Sequence, residues 1–272
     1  MSNIAKTGWI TGIDTLHGIW ILMPEWTDEG IILSIRPHGE RNAVASLLTL
    51  ENGRHSGLVH AYDSANKRGT VQIGNMVQAQ WRARLSEQLG TYRLELVRNP
   101  SAVFLDDAVK LAGLSSCCAI LDLSLPEREA NVSVWQATTA LIDIICLADN
   151  LEDWLVFYVK WEMNLLDQLG FGLNLDSCAV SGLTDGLMYV SPSSGRAVHR
   201  DHARHYADRL LQLPCFLQPN LDTAPLSETA LMDGLNLTGY FVSRRVFSLI
   251  HKELPTARLR LAHLVSKRYN IT

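Results

Sequence analysis

The chain of 272 residues, 47% hydrophobic and 19% charged, is long enough to bury a sizeable core and predicts two domains. Its net charge of −4 excludes bulk attraction to polyanions, so any nucleic-acid binding has to come from uneven distribution of charge. Five cysteines, odd in number and irregularly placed at 117, 118, 146, 178 and 215, argue against a disulfide framework and fit a reducing cytosol.

In chain order, the apolar run Ile19–Met23 is too short to cross a membrane, and no basic segment followed by a cleavage site marks a secretion signal. Residues 1–24 read as an extension, with Met23 an alternative start. Five strand-like segments follow, near 28–36, 42–50, 54–62, 75–85 and 90–98, with turn signals at Pro37-His-Gly-Glu40, Asn52-Gly53 and Leu89-Gly90. In the fourth, Val77, Ala79, Trp81, Ala83 and Leu85 alternate with Gln78, Gln80, Arg82 and Arg84, which predicts an apolar face inward and a polar, basic face outward. Tyr92, Leu94 and Leu96 repeat the alternation. Five short strands over 25–98 match an OB-fold β-barrel, and an SH3-like barrel would give a similar pattern.

The barrel segment holds Arg36, Arg41, Arg54, Lys67, Arg68, Arg82, Arg84 and Arg93. Phosphate binding needs several cations on one tract, because each neutralised phosphate releases counterions. The same segment carries nearly as many acids, so by residues alone a solvated strand face is the favoured reading. Tyr62 and Trp81 are of a type to stack bases, but Trp81 lies on the apolar face and belongs to the core.

After Pro100 the period changes to that of a helix, and residues 99–272 read as a helical domain. Leu141, Ile142, Ile145 and Cys146 form one apolar face. Leu155, Tyr158, Trp161, Leu165, Leu166 and Leu169 form another, ended by Gly170. Further helices are predicted over Asp201–Leu213, Ser227–Ile250 and Thr256–Tyr269, with Ser227 and Thr256 as N-caps. Residues 171–200, rich in Gly and Ser, form an irregular or short-stranded insert. Residues 99–180 hold twelve acids against Lys110, Arg128 and Lys160, whereas residues from 241 onward hold seven bases against Glu253. Blocks of opposite sign suggest that one surface meets a charged partner and the other faces elsewhere.

Catalytic signals are weak. Ser64-Ala-Asn-Lys67 has a serine–lysine spacing but no companion motif, and neither a Walker A sequence nor a dinucleotide fingerprint is present. Glu162 beside Trp161 is read as a buried acid that makes a structural pair or caps backbone. His199, His202 and His205, three apart, turn off one helix face among Arg200, Arg204 and Arg209, which disfavours a metal site.

The stretches Trp26-Thr-Asp-Glu-Gly-Ile-Ile-Leu-Ser-Ile-Arg-Pro-His-Gly-Glu40 and Leu48-Thr-Leu-Glu-Asn-Gly-Arg-His-Ser-Gly-Leu-Val59 open a series of motifs. Trp81-Arg-Ala-Arg-Leu85, Leu125-Pro-Glu-Arg-Glu129, Trp161-Glu162, Leu169-Gly-Phe-Gly-Leu173 and Tyr189-Val-Ser-Pro-Ser-Ser-Gly-Arg-Ala-Val198 follow in order. Together they resemble the bacterial RecO family of DNA repair proteins, from Glu25 to Leu217. The resemblance implies an α+β protein: an OB-fold DNA-binding barrel, then a helical domain whose insert holds a zinc-finger-like site in many relatives. Four thiolates suit tetrahedral zinc. Here only Cys178 remains in the insert, so no metal and no cofactor are expected.

The resemblance further implies a cytoplasmic, nucleoid-associated recombination mediator, without catalysis, that binds single- and double-stranded DNA. Such a protein anneals complementary strands and helps load RecA onto DNA coated by single-strand-binding protein. Its partners would be the C-terminal tail of that coating protein, RecR and sometimes RecF, with no membrane. The eight barrel cations become the expected DNA contacts, and Arg128, Arg196, Arg200 and Arg204 candidate partner contacts. An interaction module without DNA affinity and a nucleic-acid hydrolase with dispersed catalytic residues are the alternatives.

Overall fold

Alternation of period two becomes a closed ladder. In a computed structural model that describes residues 24–218 and 226–270, the first strands are β1 (Glu25–His38), β2 (Asn42–Thr49), β3 (Gly53–His60), β4 (Met76–Arg82) and β5 (Thr91–Arg98). The reading of an N-terminal extension with an alternative start at Met23 falls outside the described residues, apart from Pro24. The strands close as β1-β2-β3-β5-β4, an OB-like order. β1 pairs with β4 from Glu25↔Arg82 to Ile31↔Met76 and with β2 from Gly30↔Thr49 to His38↔Asn42, and its register shifts between Ile32 and Ser34, where it bends from one partner to the other. β3 meets β5 in parallel at Leu58↔Thr91. A single helical turn, α1 (Ala65–Arg68), links β3 to β4.

The inward positions Ile32, Ala45, Leu47, Val59, Val77, Ala79, Trp81 and Tyr92 are buried together as the barrel core. Two expectations fail at the ends of the pattern. β4 stops at Arg82, opposite the start of β1, so Leu85 lies in the following loop and is 59% exposed. Leu96 on β5 is exposed as well.

The chain divides into two compact units: one runs through Val103 and takes in Leu121–Val132, the other holds Phe104–Ile120 and Ser133 onward. α2 (Pro100–Val103) closes the first stretch of the barrel unit. α3 (Ala108–Ser124), α4 (Val132–Leu147) and α5 (Leu151–Gln168) follow. Gly170 ends α5 at φ +81, the left-handed conformation that favours glycine; its N–H donates to the carbonyl of Asp167 and that of Phe171 to the carbonyl of Leu166.

The insert is a small sheet of order β7-β6-β8, made of β6 (Leu187–Val190), β7 (Ala197–His199) and β8 (Leu211–Gln212). The helix expected over Asp201–Leu213 is therefore corrected. Only one turn forms, α6 (Arg200–Ala203), followed by a 3-10 turn, because Leu211 and Gln212 complete the edge of β6 instead.

α7 (Glu228–Phe241) starts at Ser227, whose hydroxyl accepts from the Ala230 N–H at 3.1 Å, and runs on as a π-turn and a 3-10 turn to Ile250. In α8 (Thr256–Arg268) the N-cap position is held by Pro255, with no side-chain capping bond, and the expected cap Thr256 already lies in the first turn. Glu162 on α5 holds Arg258 on α8 in a two-pronged pair at 2.6 and 3.0 Å and accepts from Tyr158 and from Thr238 on α7. Both charged residues are almost completely buried. The acid is thus half of a structural pair, tying three helices.

Candidate functional site

The barrel unit carries a strap. Residues 125–130 run back across the start of β3, where Arg54 pairs as an isolated bridge with Glu127 and its carbonyl accepts from the Arg128 N–H at 2.7 Å. Gly53 permits the approach: a Cβ there would lie 2.0 Å from the Glu129 carbonyl oxygen, and its φ is +65. Arg54 donates from Nε to the Leu125 carbonyl at 2.8 Å and pairs with Glu127 at 3.2 Å. Ser56 adds a hydroxyl bond to the Glu127 carboxylate at 3.3 Å.

Arg128 then reaches from the strap to the β4–β5 loop. It donates from Nη1 to the Ser86 carbonyl at 2.5 Å and from Nη2 to the Gln88 carbonyl at 3.1 Å. Strap, loop and the end of β1 enclose a cleft of about 530 Å³, lined by Arg36, His38, Ser56, Leu89, Glu127 and Arg128 among others.

The same unit holds an aromatic cluster. His55 sits edge-on to Trp26 and Trp81 with ring centroids 5.0 and 4.8 Å away, and its Nδ1 is 3.1 Å from the Tyr92 hydroxyl. Burial, followed by the positive charge of Arg128, lowers the His55 pKa to about 4, and burial raises that of Tyr92.

The eight candidate cations of the barrel take different roles. Arg36, Arg41, Arg82 and Arg84 are exposed and make no side-chain hydrogen bond or ion pair among the described residues. Lys67 and Arg68 donate to the backbone carbonyls of His60 and Asp63, which leaves their charge unneutralised. Arg93 shares its charge with Glu95 at 3.3 Å, both well exposed. Arg54 is spent on the strap. Backbone pairing groups Arg41 with the Lys67 region, since the Tyr62 N–H donates to the Arg41 carbonyl and Lys67 reaches His60. Arg82, Arg84 and Arg93 gather where β4 ends and β5 begins, Gln80 lying opposite Arg93. Tyr62 is half-buried against the barrel core, and Trp81 is buried within it, its indole N–H donating to the Leu89 carbonyl at 2.9 Å.

Of the four candidate partner contacts, Arg128 belongs to the barrel unit and Arg196, Arg200 and Arg204 to the helical unit. Arg196 and Arg200 are exposed, and Arg204 pairs with Asp201 at 2.7 Å. Sequence reasoning missed a groove of about 290 Å³ in the helical unit, between the N-terminal parts of α3 and α8, lined by Leu111, Ala112, Ala257 and Arg260 among others. Its signal was present in the small residues Ala108, Ala112 and Ala257 at helix starts, but their meeting needs the tertiary fold.

In the insert, burial raises the Cys178 thiol but hydrogen bonds from Ser181 and the backbone N–H of His199, Ser181 and Val180 outweigh it and hold it at about 7. His199 is a buried strand residue whose Nδ1 accepts from the Asp201 N–H at 3.1 Å, while His202 and His205 are exposed. Among the described residues no group of three or more His, Cys, Asp or Glu could hold a metal ion, and no helix is long and apolar enough to cross a membrane.

Two family models match the chain: "Recombination protein O N terminal" over residues 23–100 and "Recombination protein O C terminal" over 105–255. A curated "DNA repair protein RecO" of Rhodospirillum centenum is 47% identical over 90% of this chain and 96% of its own length. Its counterpart in Rhodospirillum rubrum is 43% identical over 88% and 95%, and one from Cereibacter sphaeroides 41% over 90% and 100%.

Proposed function

Because the chain belongs to the recombination protein O family of bacterial DNA repair proteins, we propose that it is a recombination mediator that works without covalent chemistry. It binds single- and double-stranded DNA through the barrel unit, brings complementary strands together and assists loading of RecA on strands coated by single-strand-binding protein, in the cytoplasm at the nucleoid. The observation that carries this reading is the set of barrel cations without acidic partners among the described residues, Arg36, Arg41, Arg82 and Arg84, in a chain of net charge −4. Joining two phosphate backbones requires screening of their repulsion, and exposed guanidinium groups supply it by releasing counterions. Lys67 and Arg68 extend the set, Arg93 contributes weakly, and Arg54 is left out.

The acidic, apolar tail of the single-strand-binding protein fits the α3–α8 groove of the helical unit. Its apolar lining takes an apolar side chain, while Arg260 favours a carboxylate. Arg196 and Arg200 are kept as proposed contacts for protein partners, among which the family suggests RecR and in some members RecF.

The test is a titration of fluorescent single-stranded DNA at several salt concentrations. The unsubstituted chain should bind with affinity that falls as salt rises. Arg36→Ala, Arg41→Ala, Arg82→Ala and Arg84→Ala together should weaken binding at least roughly 30-fold and flatten the log–log salt slope by about 2 to 3. An unchanged slope in a folded quadruple variant rules the barrel surface out as the DNA site.

A further inference from the structure

The strap residue Arg128 stands where glycine would be relaxed, at φ +62, and its side chain spans from the strap to the loop that joins β4 to β5. That loop is tied at every carbonyl from its tip to its end but one. Trp81 holds Leu89, the Leu58 N–H holds Gly90, and the single guanidinium of Arg128 holds both Ser86 and Gln88. The same loop carries Arg84, exposed and without a partner among the described residues, and supplies Leu89 to the cleft wall, with Arg36 also lining that cleft.

From this we infer that Arg128 is a positioning residue for polynucleotide binding: it fixes the β4–β5 loop against the strap, so that the cleft keeps its shape and Arg84 is presented in one place beside it. The inference rests on the DNA-binding reading above. Two of the five N–H donors of Arg128, one on each terminal nitrogen, are spent on loop carbonyls, and the role inferred for it is to hold the loop rather than to meet phosphate. Its contribution is to remove an ordering cost that a loose loop would impose on each binding event. A planar guanidinium can hold two carbonyls at once in a fixed fork; an ammonium in its place reaches one, without the fork's fixed geometry.

Two measurements on three variants test this. Arg128→Gly relieves the left-handed backbone while removing the clamp, so the fold is kept; Arg128→Lys keeps the charge; Arg36→Ala is the control for a phosphate contact. Affinity for a single-stranded oligonucleotide is followed against salt, and amide hydrogen exchange is followed across residues 84–90. Arg128→Gly should lower affinity roughly 3- to 10-fold, the factor expected when a segment must be immobilised on binding, with an unchanged salt slope and faster exchange in the loop. Arg128→Lys should recover part of both. Arg36→Ala should instead lower the slope by about 0.7 and leave loop exchange alone. A slope lowered by about 0.7 in Arg128→Gly would make Arg128 a direct phosphate contact and overturn the inference. So would unchanged affinity. If the unsubstituted chain binds no DNA in a salt-dependent way, the DNA-binding reading falls and takes this role with it; if it binds and Arg128→Gly binds equally well, only the role of Arg128 falls.

Discussion

Arg258 and Arg36 carry the same guanidinium in opposite settings. In the helical unit Arg258 is 2% exposed, forked onto Glu162 and bonded to the Leu235 carbonyl at 2.7 Å. In the barrel unit Arg36 stands exposed at the end of β1 with no acidic partner among the described residues. A buried charge must be fully answered by its surroundings, because its hydration is gone; an exposed one keeps its water and salt cloud until a ligand displaces them. The first kind of cation serves the fold and cannot bind a ligand. The second does almost nothing for the fold, and for that reason is available. Arg54 and Arg128 lie between these limits, in the barrel unit but committed to carbonyls of their own chain.

The comparison breaks most visibly at the buried pair. Arg258→Ala should cost about 3–5 kcal/mol, because Glu162 would remain buried without its counter-charge. Urea unfolding followed by helical circular dichroism measures it, and DNA affinity of the folded variant should stay within about twofold. Replacing both partners, Glu162→Leu with Arg258→Met, should recover most of the loss, since the desolvated charges disappear together. A loss below about 1 kcal/mol in Arg258→Ala would mean that the carboxylate finds water, and the contrast between the units would weaken.

Acid separates the units next. His55 is neutral in the folded barrel down to about pH 4, whereas in the unfolded chain it takes a proton near its ordinary 6.5. Stability from this group is therefore complete above pH 6.5, falls as pH drops from 6.5 toward 4, and falls no further below. Allowing for screening, the loss is on the order of 2 kcal/mol. Thermal melts across that range, with His55→Gln as the flat control, should show it; equal slopes for the two proteins would assign the acid sensitivity to another group.

How far the residues alone reach differs between the two settings. The barrel was readable because a half-buried strand writes its burial into every second residue, and Trp81 fell correctly inside by that rule. The rule fails at Leu85, where the alternation in sequence continues past the end of β4 at Arg82 into an exposed loop. The free cations could be listed but not sorted. Arg54 resembles Arg36 in sequence, and what removes it from the surface is a carbonyl 71 positions away at Leu125. Glu162 was readable as paired because a lone buried acid is too costly, yet its partner lies 96 positions on. The Asp201–Leu213 segment misled because the leucines at 210, 211 and 213 suit a helix face and a sheet edge alike, and the unsatisfied edge of β6 decides.

Arg93 is the smallest and sharpest test, because it has both habits at once. It is exposed like Arg36 but faces Glu95 at 3.3 Å, with the two side chains 76% and 68% accessible. A pair so open should contribute less than about 0.5 kcal/mol to folding, so Arg93→Ala should leave the melting curve where it is. Its effect on DNA binding should be smaller than that of Arg36→Ala, since part of its field is already cancelled by the neighbouring carboxylate. Glu95→Gln should then do the reverse: with the acid gone, Arg93 behaves as an uncompensated cation, affinity for single-stranded DNA rises by roughly twofold, and the salt slope steepens by up to about 0.7. If Glu95→Gln leaves the slope alone, the nucleic acid does not pass this end of β5. The binding surface would then run from the β1–β2 turn to the β4–β5 loop without it.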